Sequence, residues 1–390
     1  MTKNYTYAFV FGTHPKLSFG ELSAVLQNDG IVVESLVLRN TIGWLETATE
    51  LAADALMVRL GGTTKIVQVV GAFDDETVAD YLLSRVNRDS KFHFGFSLYA
   101  LEPGISTKKS LKTLHTLGIA LKKTFKADEI SCRFVSSQEV ELSSVIVHKE
   151  RLLKNGVEIV ILKAADKIIF GATLAVQPFQ DWSHRDYGRP ARDDRSGMLP
   201  PKLARMMLNV SGASSNDTVL DPFCGSGTVL QEAVLLGCKK IIGTDVSKKA
   251  IEDSRENLEW LKQETGKYVE KIAVCDAREL LAKKIIAPES IDRIVFEGYL
   301  GKTTPNAKAI EQQIFELEKL YRDTFIILER ALSKNGTIVA ALPFWTLSKA
   351  EIIHLPIKKL LAKSNLKIID TYFYRRPQSV VGREIIVLKK

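Results

Sequence analysis

The run Asp221-Pro222-Phe223-Cys224-Gly225-Ser226-Gly227-Thr228 decides how this chain is read. An apolar lead, Thr218-Val219-Leu220, precedes it, and a helix-forming stretch, Val229 to Leu236, follows. Strand, glycine turn and helix in succession open a nucleotide-type binding unit. Glycines there let the backbone approach a ligand where a Cβ would block it. The helix N-terminus behind them favours a carboxylate or a phosphate. A phosphate-cradling G-x-x-x-x-G-K-[ST] is absent, and G-x-G-x-x-G is incomplete because only Gly225 and Gly227 are present.

Two downstream acids narrow the ligand. Asp245 closes the apolar run Ile241-Ile242-Gly243-Thr244, and Asp276 closes Ile272-Ala273-Val274-Cys275. An acid ending the second strand is placed to accept both ribose hydroxyls. One ending the third can accept from an adenine amino group. Either acid alone would serve equally as a helix N-cap. In this order, they describe an adenosine-containing ligand with its polar tail at the first turn.

Outward from this core, 390 residues suit roughly two to three domains. No apolar run reaches about 18 residues, so no membrane span is expected, and the N-terminus lacks the layout of a signal peptide. Four cysteines without a C-x-x-C pair argue against a zinc site or a disulfide framework and suit a reducing cytoplasm. A net charge of +8 suits a polyanionic partner. Between Pro103 and Ala127 lie Lys108, Lys109, Lys112, Lys122, Lys123 and Lys126, with no acid. Most fall on an expected helix from Lys108 to Phe125, as either a solvated face or a phosphate-contacting one.

The pattern divides the chain into residues 1–75, a small α+β unit; 76–176, a second α+β unit; 177–201, a proline- and charge-rich linker; and 202–390, alternating helix and strand as in a doubly wound parallel sheet. In the first unit, Ser18 and Glu21 read as a capping box for a helix over 18–27. In the linker, Arg185, Arg189, Arg192 and Arg195 balance Asp181, Asp186, Asp193 and Asp194, and mutual pairing accounts for most of them.

Taken together, these residues resemble the THUMP-domain tRNA guanosine N2-methyltransferases of the archaeal and eukaryotic type, which use S-adenosylmethionine. Asp221–Thr228 resembles their first cofactor motif. The blocks His184 to Pro190 and Gly197 to Ala204 resemble their motif ahead of the catalytic sheet, and Tyr374-Arg375-Arg376-Pro377 with Val381 to Ile385 resemble their closing segment. Gly12, Pro15, Leu17-Ser18 and Leu60 to Thr63 are similar to their ferredoxin-like extension, and Arg133 with Leu142-Ser143-Ser144 to parts of their THUMP unit. The resemblance implies a Rossmann-like class I methyltransferase domain behind an α+β ferredoxin-like and THUMP RNA-binding region. It also implies tRNA as partner and, as some relatives require, a small zinc-binding activator protein. Cofactor contacts would then fall on Asp221, Phe223, Cys224, Gly225, Gly227, Thr228, Asp245, Asp276, Ala277, Leu199 and Pro200. RNA contacts would fall on Lys108, Lys109, Lys112, Lys122, Lys123, Arg133 and Arg189, with Arg375, Arg376 and Arg383 as further candidates or a solvated rim. Cys224 and Cys275 read as small packing residues.

The acceptor end departs from the family. Amine-methylating relatives carry D/N-P-P-Y after the fourth strand, where the acid or amide accepts from the amine and the aromatic stacks on a flipped base. Here Ile291 to Val295 runs into Phe296-Glu297-Gly298-Tyr299. Tyr299 survives as a platform and Phe296 replaces the acid. Three readings stand. Glu297 accepts from the amine, the pocket takes another atom or base with Phe296 as a wall or stacking surface, or the domain binds cofactor and RNA without turnover. A methyltransferase for another RNA or DNA base amine is the neighbouring alternative.

Overall fold

The computed structural model describes residues 4–192, 198–267, 271–301, 307–348 and 351–390, and of Lys108 and Ala307 the backbone only. Asp193, Asp194, Arg195, Gly197 and the Lys108 side chain therefore lie outside the described residues. The chain forms two compact units, Met1–Gln180 and Asp181–Lys390.

In the first unit the order is β1 (Tyr5–Phe11), α1 (Pro15–Asn28), β2 (Ser35–Arg39), β3 (Ile42–Thr47), α2 (Ala53–Arg59), β4 (Thr63–Ala72), α3 (Asp75–Leu83), β5 (Phe92–Ala100), α4 (Leu111–Ala127), β6 (Cys132–Val135), α5 (Ser144–Lys149), β7 (Gly156–Lys163) and β8 (Ile168–Val176). Strands from both stretches read as separate α+β units share one eight-stranded sheet, ordered β2-β3-β1-β4-β8-β7-β5-β6. The join is the antiparallel pair β4–β8. A buried ion pair reinforces it: Lys65 on β4 meets Glu158 on β7, while Ser97 and Thr173 each donate to Glu158 at 2.6 Å. Removing one partner of such a pair typically costs about 3–5 kcal/mol.

α1 begins one turn earlier than the expected capping box. Pro15 opens it, as proline's fixed φ suits a first turn. Ser18 and Glu21 are buried inside the helix. The Glu21 carboxylate accepts from the amides of Gly61 and Gly62 at 2.7 and 2.8 Å. The box pattern is matched by residues that pin the loop between α2 and β4 instead.

Residues read as linker carry α6 (Phe179–Tyr187). The second unit continues with α7 (Pro201–Val210), β9 (Thr218–Asp221), α8 (Thr228–Leu235), β10 (Lys240–Asp245), α9 (Lys248–Thr265), β11 (Lys271–Val274), β12 (Ile291–Glu297), α10 (Ala307–Ala331), β13 (Leu332–Thr346), β14 (Ile352–His354), α11 (Ile357–Leu360), β15 (Lys367–Tyr374) and β16 (Val381–Lys389). Its sheet runs β11-β10-β9-β12-β13-β16-β15. The first five strands are parallel, but β16 is antiparallel to β13 and to β15, so the sheet is mixed rather than wholly parallel. Strand order reverses between β9 and β12. That switch point leaves a crevice at the carboxyl ends of both strands, where open α/β sheets take their ligands. Phe296, Tyr321, Phe325 and Trp345 help fill the core on the α10 side.

Candidate cofactor and acceptor site

Asp221 ends β9 and Glu297 ends β12, so the crevice has one carboxylate on each wall. The loop after β9 turns through two left-handed glycines, Gly225 at φ 52° and Gly227 at φ 84°. A Cβ on Gly225 would meet nothing within 4 Å, so the backbone there faces open space. Gly227 caps the N-terminus of α8. The loop is held from behind by α9. Ser254 donates to the Gly225 carbonyl at 2.7 Å, and Asn257 donates to the Ser226 and Ala191 carbonyls at 2.9 Å. These two supports escaped the sequence reading. Their signal is polarity at buried positions of a helix face that also carries Ile251, Leu258 and Leu261.

Asp221 is almost fully enclosed and accepts from the Phe223 amide at 3.0 Å. Burial pushes its carboxyl well above the usual carboxylate range, and nearby Asp245 and Glu297 add to the rise against the Phe223 hydrogen bond. Among the described residues no ion pair reaches it. Asp245 accepts from the Gly225 amide at 3.0 Å and the Ser247 amide at 2.8 Å. Asp276 is clasped by Arg278, at 2.6 and 2.9 Å, which holds its carboxyl low. Ala277 and Leu199 are buried, and Pro200 caps α7. Ser226 donates toward the Met198 sulfur at 3.6 Å, bringing the segment before α7 to the glycine loop. Cys224 and Cys275 are buried thiols pushed up by burial, consistent with packing rather than nucleophilic use.

At the acceptor wall, Phe296 is fully buried, 5.3 Å from Phe223 ring to ring and 6.4 Å from Phe325. Expected as a wall or stacking surface, it is instead a core side chain. Strand alternation sends Phe296 with Ile294 toward α10 and leaves Glu297 on the other face. Glu297 forms an ion pair with Arg383 of β16, across β13, where Ala341 presents only a methyl. Burial raises the Glu297 carboxyl and Arg383 pulls it back down. Arg383, considered for RNA contact, is buried as this counter-ion. Tyr299 is 60% exposed, and its carbonyl accepts from the Tyr321 hydroxyl at 2.7 Å.

Arg189, expected on RNA, is another correction. Its side chain is buried and donates to the Thr228 hydroxyl at 2.6 Å, with Asp186 4.0 Å away. It braces the start of α8 from inside the unit rather than presenting its charge at the surface. Arg185 pairs with Glu232 on α8 at 2.8 Å rather than with a linker acid. In the first unit, Lys109, Lys112 and Lys123 are exposed, Lys122 is half-buried, and Arg133 pairs with Glu150 at 3.1 Å.

A parallel core sheet in this order, a glycine turn at its switch point and acids on successive strand ends define a class I S-adenosylmethionine-dependent methyltransferase. The family model described as "RMKL-like, methyltransferase domain" matches residues 189–346, and a "DNA methylase" model matches 108–256. The chain is 28% identical over 340 residues to a tRNA (guanine(10)-N2)-dimethyltransferase of Methanothermobacter thermautotrophicus, covering 85% of this chain and 87% of that one. It is 38% identical over 137 residues to a "Probable tRNA (guanine(10)-N2)-dimethyltransferase" of Methanothermococcus thermolithotrophicus, covering 34% of this chain and 82% of that one. The chain belongs to the tRNA (guanine(10)-N2)-dimethyltransferase family. In fold it is similar over its whole length to TrmN from Thermus thermophilus (TM-score 0.58, 17% identity, 100% of both chains) and to SMU.472, solved with SAH (TM-score 0.54, 13% identity, 100% and 99%).

The residues present fit S-adenosylmethionine. Open space before Gly225 admits a close backbone contact, and the buried Asp221 carboxyl, which no ion pair reaches among the described residues, can accept from a cationic group.

Proposed function

We propose that this chain methylates the exocyclic N2 of a guanine in tRNA, with Glu297 as the acceptor of the amine hydrogen. Carrying this reading is the placement of Glu297 and Asp221 on adjacent strand ends, one on each side of the switch-point crevice. S-adenosylmethionine, when bound, supplies an electrophilic methyl on a sulfonium. Asp221 would orient the ammonium of the methionyl tail, and the amides of the Gly225–Gly227 turn would line it. Asp245 would hold the ribose and Asp276 the adenine, each exchanging a present internal partner. On the acceptor side, Glu297 accepts a hydrogen bond from the amine and so fixes the direction of its lone pair. Tyr299 offers an exposed ring on which a flipped base can stack. The lysines of α4 supply phosphate-facing charge.

Compartment and partner follow the same reading. Cys132, Cys224, Cys238 and Cys275 are all free and buried, in keeping with a reducing cytoplasm. No helix among the described residues is long and apolar enough to cross a membrane. A small zinc-binding activator is tested by assaying with and without one. The decisive experiment incubates purified protein with labelled S-adenosylmethionine and tRNA and identifies the modified nucleoside by mass spectrometry. Label in N2-methylguanosine supports the reading, and label in another nucleoside replaces the substrate. The Glu297–Arg383 pair favours one competing outcome, a chain that binds cofactor and tRNA but transfers nothing because its carboxylate is already engaged. Retained binding of both without label would establish it.

A further inference from the structure

The turn between α5 and β7 gathers basic side chains on the first unit's surface. Its residues line a concavity of about 550 Å³ with His148, Lys149, Arg151, Lys154, Asn155 and Gln180. Lys149, Arg151 and Lys154 are exposed. Glu150, the acid within the turn, is already neutralised by Arg133. Among the described residues no ion pair engages Lys149, Arg151 or Lys154, so the concavity is net cationic.

The backbone fixes the position of Arg151. α5 ends in a paired cap: the Leu152 amide reaches the Val147 carbonyl at 3.0 Å, and the Arg151 amide reaches the His148 carbonyl at 3.1 Å. Between them the chain must pass through the left-handed region, and Arg151 stands there at φ 56°. Glycine usually takes this position because it has no Cβ to clash. Arg151 takes it here, as Glu129 does after α4, so the cap fixes where this exposed cation stands. The turn is also rigid. His93 contacts the Glu150 carbonyl through Nδ1 at 2.6 Å, the Lys154 and Asn155 amides return to the Arg151 carbonyl at 3.0 and 2.9 Å, and Gly156 packs so closely on β5 that a Cβ would lie 1.8 Å from the His93 carbonyl oxygen.

We infer that this concavity binds backbone phosphates of RNA, through Arg151, Lys149 and Lys154 together. The inference rests on the tRNA reading above and adds where the RNA lies. α4 packs on the face of the sheet that carries Phe94 and Phe96, whereas Leu142, just before α5, meets the opposite face at Gly95. The turn and the α4 lysines thus offer RNA two different faces of one sheet.

The test measures tRNA affinity of the full chain against salt, for Arg151→Gly, Arg151→Lys, an Arg151→Gly/Lys154→Ala double variant and, on the α4 face, Lys123→Glu. The double variant is expected to bind about tenfold or more weakly near physiological salt, with a log–log salt slope flatter by about 2. Arg151→Lys should retain most of the affinity. Arg151→Gly alone should melt no lower than the wild type, because it relieves the cap, while still losing affinity. S-adenosylhomocysteine binding should be unchanged throughout. Wild-type affinity and slope in the double variant, with a loss in Lys123→Glu, would overturn the inference and leave the tRNA reading standing. A wild-type chain that binds no tRNA would sink both.

Discussion

Asp221 and Glu297 end neighbouring parallel strands, and both are buried enough for desolvation to push their carboxyls up. They differ in what else they meet. Asp221 has a backbone amide and two other carboxylates nearby, whereas Glu297 has a guanidinium. A buried charge without a counter-ion is costly, and a site retains it when a ligand brings the missing charge. Under the proposed function, Asp221 would be half of an ion pair that the ammonium of the cofactor completes. Glu297 is already half of a pair completed by the protein, and Arg383 offsets part of the rise that burial imposes on its carboxyl. On the proposed reading, one crevice wall would take up a cation and the other, with its guanidinium, would face a neutral amine.

The sharpest way to break this comparison is Glu297→Gln. If the carboxylate accepts from the amine, the rate of methyl transfer falls by roughly 10²–10⁴-fold while S-adenosylhomocysteine affinity stays near wild type. Calorimetry and single-turnover assays read the two separately. An unchanged rate would remove the charge from the mechanism.

Next in size is Arg383→Met. It strands Glu297 as an uncompensated buried carboxylate, at a cost of about 3–5 kcal/mol in unfolding free energy. Without the guanidinium the Glu297 carboxyl titrates higher, so the acid limb of the kcat/KM profile moves to higher pH. Stability follows the same sign. A carboxyl raised in the folded state binds more protons than in the unfolded chain, so stability falls as pH climbs between the two pKa values. The double variant Arg383→Met/Glu297→Gln should recover much of the stability and none of the activity. A single variant as stable as wild type would mean that the pair is not a closed unit.

Asp221→Asn probes the other wall. Losing a hydrogen bond to a charged group is worth about 1.5–3 kcal/mol, so S-adenosylhomocysteine should bind roughly 10- to 150-fold more weakly. The free protein should be no less stable than wild type and should lose less stability with rising pH, because the raised carboxyl that drives that loss is gone. A drop in melting temperature would show that Asp221 is structural first.

The two walls were also unequally legible. Asp221, Gly225 and Gly227 could be placed from the chain because they share one turn, where the Phe223 amide meets Asp221, and Asp245 because it closes the next apolar run, 20 positions beyond the Gly225 amide it accepts from. Arg383 was unreadable as the partner of Glu297 because 86 positions separate them and only the β12–β13–β16 register joins them. Arg189 misled for a related reason. It lies in a stretch of mixed charge that suggests a surface, yet the hydroxyl it serves belongs to Thr228 on α8. In the first unit, two α+β patterns gave no hint that β4 and β8 would fuse them into one sheet, since pairing across such a span leaves no local signature.

The smallest effect expected bears on how the acceptor wall keeps its shape. Tyr321 is fully buried on α10, and its hydroxyl, pushed far above its usual range by burial and by Glu297, donates to the Tyr299 carbonyl at 2.7 Å. Gly298 passes so near that a Cβ there would sit 2.3 Å from that hydroxyl, so the bond and the glycine fit each other. Tyr321→Phe keeps the ring in the core and deletes only the bond. The direct cost should be about 1 kcal/mol, since the Tyr299 residue is exposed and water can replace the donor. If the bond's purpose is to hold Tyr299 where a base can stack, KM for tRNA should rise a few-fold with cofactor affinity untouched. If KM stays fixed while stability alone drops, Tyr321 serves the core and Tyr299 finds its base without it. That result would leave Glu297 and its arginine as the only part of the acceptor wall set in advance.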